Sequence, residues 1–154
     1  MRVGLAEMQG DLTGAIQHCR RYLASGGGDH ARYSLGRLLK DAGLIEEAIT
    51  ELSSLNEADS SLAISGRQLL ARIYVDTERY NDALRELRQL LKLNLGTETQ
   101  AYYYAEIGYS YKALGLFDAA VASYKKCLAL KPNDRVAMDG LHLAQEGLEK
   151  EAAS

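Results

Sequence analysis

The side chains with the greatest chemical potential in this 154-residue chain are three histidines, two cysteines and one run of glycines. His18, His30 and His142 are scattered, with no HExxH pair and no second ligand at metal-binding spacing. Cys19 and Cys127 form no CxxC pair, so buried reduced thiols fit them better than a mutual disulfide. The stretch "SGGGDH" (25–30) would need a preceding strand and a following Lys-Ser/Thr to cradle a phosphate, and it has neither. It reads as a flexible loop with Asp29 as the N-cap of the next helix. Glu46 and Glu47 open a helix, where carboxylates complement the helix dipole without acid–base work. Asp82 and Glu86, one turn apart, read as a solvated face. No Ser/His/Asp or Cys/His set emerges, so no catalytic centre and no cofactor or metal is expected.

What remains is binding chemistry. Five of the ten tyrosines fall in "AYYYAEIGYSYKALG" (101–115), a density that suits either a stacking surface or a core. The formal net charge is −3, with 25% charged and 47% apolar residues, the balance of a globular chain. No basic face of the kind that releases counterions is present, which argues against nucleic acid. No apolar run is long enough for a signal peptide or a membrane span, so a cytoplasmic location is expected.

The elements that must position these residues repeat. "GDLTGAIQHC", "GLIEEAITEL", "ERYNDALREL" and "GLFDAAVASY" align on Ala15, Ala48, Ala83 and Ala120, at intervals of 33, 35 and 37. Ahead of the last three lie "RYSLGRLL", "RQLLARIY" and "YAEIGYSY", whose large residues recur at three, four and seven. The turns "KDAG", "DTER" and "KALG" separate the halves. Each unit is therefore a helix–turn–helix.

This pattern resembles the tetratricopeptide repeat, W-x2-L-G-x2-Y…A-x3-F…P. Tyr104, Ile107, Gly108, Tyr111, Ala120, Tyr124 and Pro132 fill its slots in one unit. Arg32, Leu35, Gly36, Leu39, Gly43, Ala48 and Leu52 fill them in another, and Arg67, Leu70, Ala71, Tyr74, Ala83 and Leu87 in a third. The last two lack the aromatic in the Trp slot and the closing proline. The resemblance covers the whole chain as a single domain: a partial repeat at 1–28, repeats at 29–63, 64–100 and 101–134, and a capping helix at 135–152. In the partial repeat "MRVGLAEMQ" stands for the first helix, leaving Val3 and Leu5 without neighbours. Either the chain begins mid-repeat or it is a fragment of a longer array. In the capping helix Ala137, Leu141, Ala144 and Leu148 form the apolar stripe, with Asn133 or Asp134 as its cap.

The resemblance implies an all-α fold, a right-handed superhelical solenoid of antiparallel helix hairpins with a concave groove lined by the first helix of each. It implies a non-enzymatic scaffold that binds a peptide segment of a partner protein. Tyr104, Tyr111 and Tyr124 occupy core slots. Tyr103 is assigned to the contact with the preceding repeat. Tyr102 and Tyr109, seven apart, take the groove face. The same face carries Tyr33, Arg37 and Lys40, then Gln68 and Arg72, and Lys112 beyond Tyr109. Arg37 and Arg72 follow the small slot of consecutive repeats and suit an acidic group on the partner, with Asp41 and Asp76 close enough to pair with them. Asparagine is missing from the positions at which co-chaperones of this family clamp a terminal carboxylate; these carry Tyr33, Arg37, Gln68, Arg72 and Ala105. A structural or assembly role is the alternative, with homo-oligomers formed through the N-terminal half-repeat.

Overall fold

The computed structural model describes residues 2–55 and 60–154, and the side chains of residues 9–55 and 61–154. Val3 and Leu5, and so their expected lack of neighbours, lie outside the described side chains. Eight helices follow in order: α1 (Arg2–Ala24), α2 (Asp29–Asp41), α3 (Ile45–Ser53), α4 (Ser60–Asp76), α5 (Tyr80–Leu91), α6 (Thr97–Ala113), α7 (Phe117–Leu130) and α8 (Arg135–Ala153). The described residues contain no strand. The chain divides into two compact units, residues up to Ile73 and residues from Tyr74 on.

In the first unit, α1 packs on α2 and α2 on α3. The expected break between two halves of the first repeat is missing: α1 is one 23-residue helix that runs through Gly10 and Gly14. A glycine lowers helix stability by about 1 kcal/mol but does not stop a helix by itself. The α2–α3 hairpin closes on Gly43, at φ +78°, where the Gly43 N–H bonds Lys40 O and the Leu44 N–H bonds Leu39 O. That pairing satisfies the last carbonyls of α2. Asp29 is not the cap of α2; Gly28 is, without a side-chain bond. Asp29 sits in the first turn, its Oδ1 3.9 Å from Arg32 Nε. Leu35, Gly36, Leu39, Ala48 and Leu52 are buried, and a Cβ at Gly36 would lie 2.6 Å from the Leu52 side chain. The helices approach as closely as the small slot predicts. α4 is held in the same way, since a Cβ at Gly66 would meet Leu55 Cδ1 at 2.3 Å.

In the second unit, α5 packs on α6, α6 on α7, and α8 on both α6 and α7. Its core joins Ala101, Ala105, Ala120, Tyr124, Cys127, Ala137 and Ala144. Tyr124 is 1% exposed, with its ring against Gly108 on α6 and Gly140 on α8. The turn after α6 repeats the bonds of the first unit, with Gly115 at φ +75° and the Leu116 N–H on Tyr111 O. The turn after α4 makes the same bond, Arg79 N–H to Tyr74 O at 2.7 Å, but places Glu78 at φ 60°. Asp134 caps α8, its Oδ1 accepting from the Ala137 N–H at 2.9 Å.

Candidate functional site

The repeat slots sort the tyrosines differently from their sequence assignment. Tyr124 is core, as its slot implies, and Tyr103 is as deeply buried. Tyr104 and Tyr111 are only half-buried: each packs one edge on the core and carries a cation over its face. Lys126 Nζ lies 5.6 Å from the Tyr104 centroid, and the Arg88 guanidinium lies 5.6 Å from that of Tyr111 and donates to its hydroxyl. Tyr74 is buried, with the Arg79 guanidinium 5.1 Å from its centroid. A tyrosine in a large slot thus presents its ring to a basic side chain of a neighbouring helix or turn, which a tryptophan or leucine pattern does not foretell.

Among the expected binding residues of the first unit, Arg37 on α2 is exposed, Tyr33 one turn before it is half-buried, and Lys40 is half-buried. Asp41 does not pair with Arg37; its Oδ1 lies 3.4 Å from Lys40 Nζ, a shorter reach for a neighbouring side chain. Gln68 and Arg72 on α4 are exposed. In each helix the residue before is drawn into the core: Gly36 before Arg37, Ala71 before Arg72.

In the second unit α6 exposes Tyr102 (47%) and Tyr109 (42%), while Ala105 between them is buried. Lys112 Nζ stands 5.5 Å over the Tyr109 ring. Tyr80, at the start of α5, meets Tyr109 edge to face with centroids 6.1 Å apart, and the two hydroxyls share a hydrogen bond. Loss of solvent around Tyr80, then that hydrogen bond, push its hydroxyl above the ordinary tyrosine range. Tyr80 was missed from sequence because it belongs to a second helix, whose residues the repeat pattern assigns to packing. Its place three residues before Ala83 was the signal available. Glu86, expected on a solvated face, is buried, with its Oε1 3.8 Å from Arg85 Nε; Asp82 instead holds Arg79 and Arg85.

Among the described residues no three His, Cys, Asp or Glu side chains could hold a metal ion. Cys127 is buried and free, and Cys19 is free but only half-buried. Burial pushes the Cys127 thiol up, away from the reactive thiolate. Glu46 and Glu47 lie in the first turn of α3, where Glu47 pairs with Arg20 of α1. No helix of the described residues is long and apolar enough to cross a membrane.

Residues 64–96 and 101–134 match the profile of the Tetratricopeptide repeat family. No curated protein sequence matches the chain. Among solved structures, a crystal structure of the MamA protein is similar at a TM-score of 0.75 and 25% identity, covering 93% of this chain and 76% of that one. A second MamA crystal structure gives 0.66 at 22% identity, over 96% and 95% of the two chains. The first TPR domain of human RPAP3 gives 0.62 at 21% identity, over 82% and 96%.

Proposed function

The chain is a tetratricopeptide repeat protein, and on that premise we propose that it binds a peptide segment of a partner protein along the exposed face of its first-position helices. Such repeats are scaffolds for protein–protein interaction. One observation carries the finer reading. The slot directly after each buried small residue is exposed: Arg37 after Gly36, Arg72 after Ala71, Tyr109 after Gly108. A core would not select long polar and aromatic side chains there. A binding face would, because arginine offers a fork to carboxylates and tyrosine a stiff contact area with a polar tip. Tyr33, Lys40 and Gln68 belong to that face in the first unit, and Tyr102 and Lys112 in the second. On this reading the work of the chain is recognition.

The partner segment carries an acidic group beside an apolar or aromatic anchor. Selection from a displayed random-peptide library on the immobilised chain tests this. The reading expects enrichment of sequences with Asp or Glu next to an apolar residue. Recovery of sequences with no such bias, or none above a blank surface, would contradict it.

A further inference from the structure

Tyr104 and Tyr111 of α6 stand seven residues apart, so they share one face of the helix, about 10.5 Å apart along it. That face is turned away from Tyr102 and Tyr109. Cations reach the two rings from opposite sides: Arg88 comes from α5 to Tyr111, and Lys126 comes from α7 to Tyr104. α5 and α7 each pack on α6. The two rings therefore floor a furrow between second-position helices, behind the face proposed above for peptide binding. Lys92 follows Arg88 by one turn, and Lys125 stands beside Lys126. All four cations are exposed, and none pairs with a carboxylate among the described residues.

The carboxylates of these three helices are engaged elsewhere, with one exception. Asp82 holds Arg79 and Arg85, and Glu86 is buried beside Arg85. Glu98 holds Lys131 at 3.1 Å. Glu106 lies four residues after Tyr102 and three before Tyr109, on the other side of α6. Asp118 alone, in the first turn of α7 and two turns before Lys125, stands against the four cations. On a chain of net charge −3, such a local excess marks a surface that attracts anions. We infer that the furrow seats an extended acidic segment of a partner protein, with two Asp or Glu residues three positions apart. The spacing follows from the floor: an extended chain rises about 3.3 Å per residue, so three residues span the distance between the rings. The sides follow from alternation. Residues three apart in an extended chain point to opposite sides, as Arg88 and Lys126 stand on opposite walls. Helical residues seven apart would span the same length but point to one wall only. This goes beyond the interaction-module reading, because it uses other helices and other residues.

The probe is a fluorescein-labelled nine-residue peptide with glutamates at positions 3 and 6 and serine or threonine elsewhere. Its controls carry glutamates at positions 3 and 5, on one side of an extended chain, or lysines at positions 3 and 6. Fluorescence anisotropy on the full chain at low salt should show the first peptide binding at least about fivefold more tightly than either control. Arg88→Gln with Lys126→Gln should abolish the preference between the two glutamate registers. Because Arg88 also bonds Tyr111, a second variant spares that contact. Lys92→Glu with Lys125→Glu should weaken both glutamate peptides at least about fivefold with an unchanged melting temperature. Arg37→Glu with Arg72→Glu should leave every affinity unaltered, so failure of this inference and failure of the proposed function are told apart. Equal affinity for the two glutamate registers, or a preference that survives the glutamine variant, overturns the inference. So does binding to phosphatidylserine vesicles that the glutamine variant abolishes, with no preference among the peptides, since the furrow would then face a bilayer.

Discussion

Tyr124 shows how much one side chain carries. It lies in the Phe slot of its repeat, and a Cβ at Gly108 or Gly140 would approach its ring to 2.9 and 2.3 Å. Its hydroxyl is pushed far up by burial, then by Glu106. The folded chain therefore holds this proton while the unfolded chain releases it above its ordinary value of 10.0. Stability that is full below that pH is lost as pH rises past it. Cys127, raised by burial from 9.0, acts in the same direction slightly earlier. Chemical denaturation from pH 8 to pH 11 should show falling stability, with a shallower fall in Tyr124→Phe; an equal fall in both would remove Tyr124 as a cause. Glu78 is the other instructive residue. It holds a left-handed conformation at φ 60° in a turn whose counterparts use Gly43 and Gly115. Glu78→Gly should raise stability by about 1 kcal/mol by removing the Cβ penalty, a gain that thermal melting can detect. A loss of stability would mean that the Glu78 side chain contributes more than its backbone costs.

At the scale of the helix, the sequence was legible where small and large residues alternate at helical spacing. The hairpin of α6 and α7 was readable because Gly108, Ala120 and Tyr124 interlock, and each is diagnostic by size. Ala83 and Ala120 are 0% exposed, as their alignment implies. Ala83→Asp or Ala120→Asp buries an unpaired carboxylate and should destabilise by more than about 3 kcal/mol in urea titration. A parent-like midpoint would show that neither lies at a helix crossing. Other features were not legible, for physical reasons. Continuity of α1 depends on what happens at Gly10, and a glycine is compatible with both helix and turn. The half-exposed state of Tyr104 and Tyr111 depends on Lys126 and Arg88, which lie 22 and 23 residues away in sequence. The exposed Val136 and Leu143 were masked because the stripe at Ala137, Leu141, Ala144 and Leu148 already accounted for an apolar face. Of the proposed binding residues, the exposure of Arg37, Arg72, Tyr102 and Tyr109 was readable from their slots; the contact of Tyr80 with Tyr109 was not.

For the molecule as a whole, the account rests on a division of labour between slots. Small and large slots build the hairpins, and the slot after each small residue is exposed. That separation predicts that binding can be removed without disturbing the fold. Arg37 makes no ion pair with another described residue, and both it and Arg72 are exposed, so charge reversal at the two should leave the helical signal intact. The most direct measurement is isothermal titration of a library-selected acidic peptide against the parent chain and Arg37→Glu with Arg72→Glu. The account predicts a loss of roughly 2–4 kcal/mol in the double variant, a melting temperature unchanged from the parent, and weaker parent binding as salt rises. Unaltered affinity in the double variant would contradict it and move the site off this face.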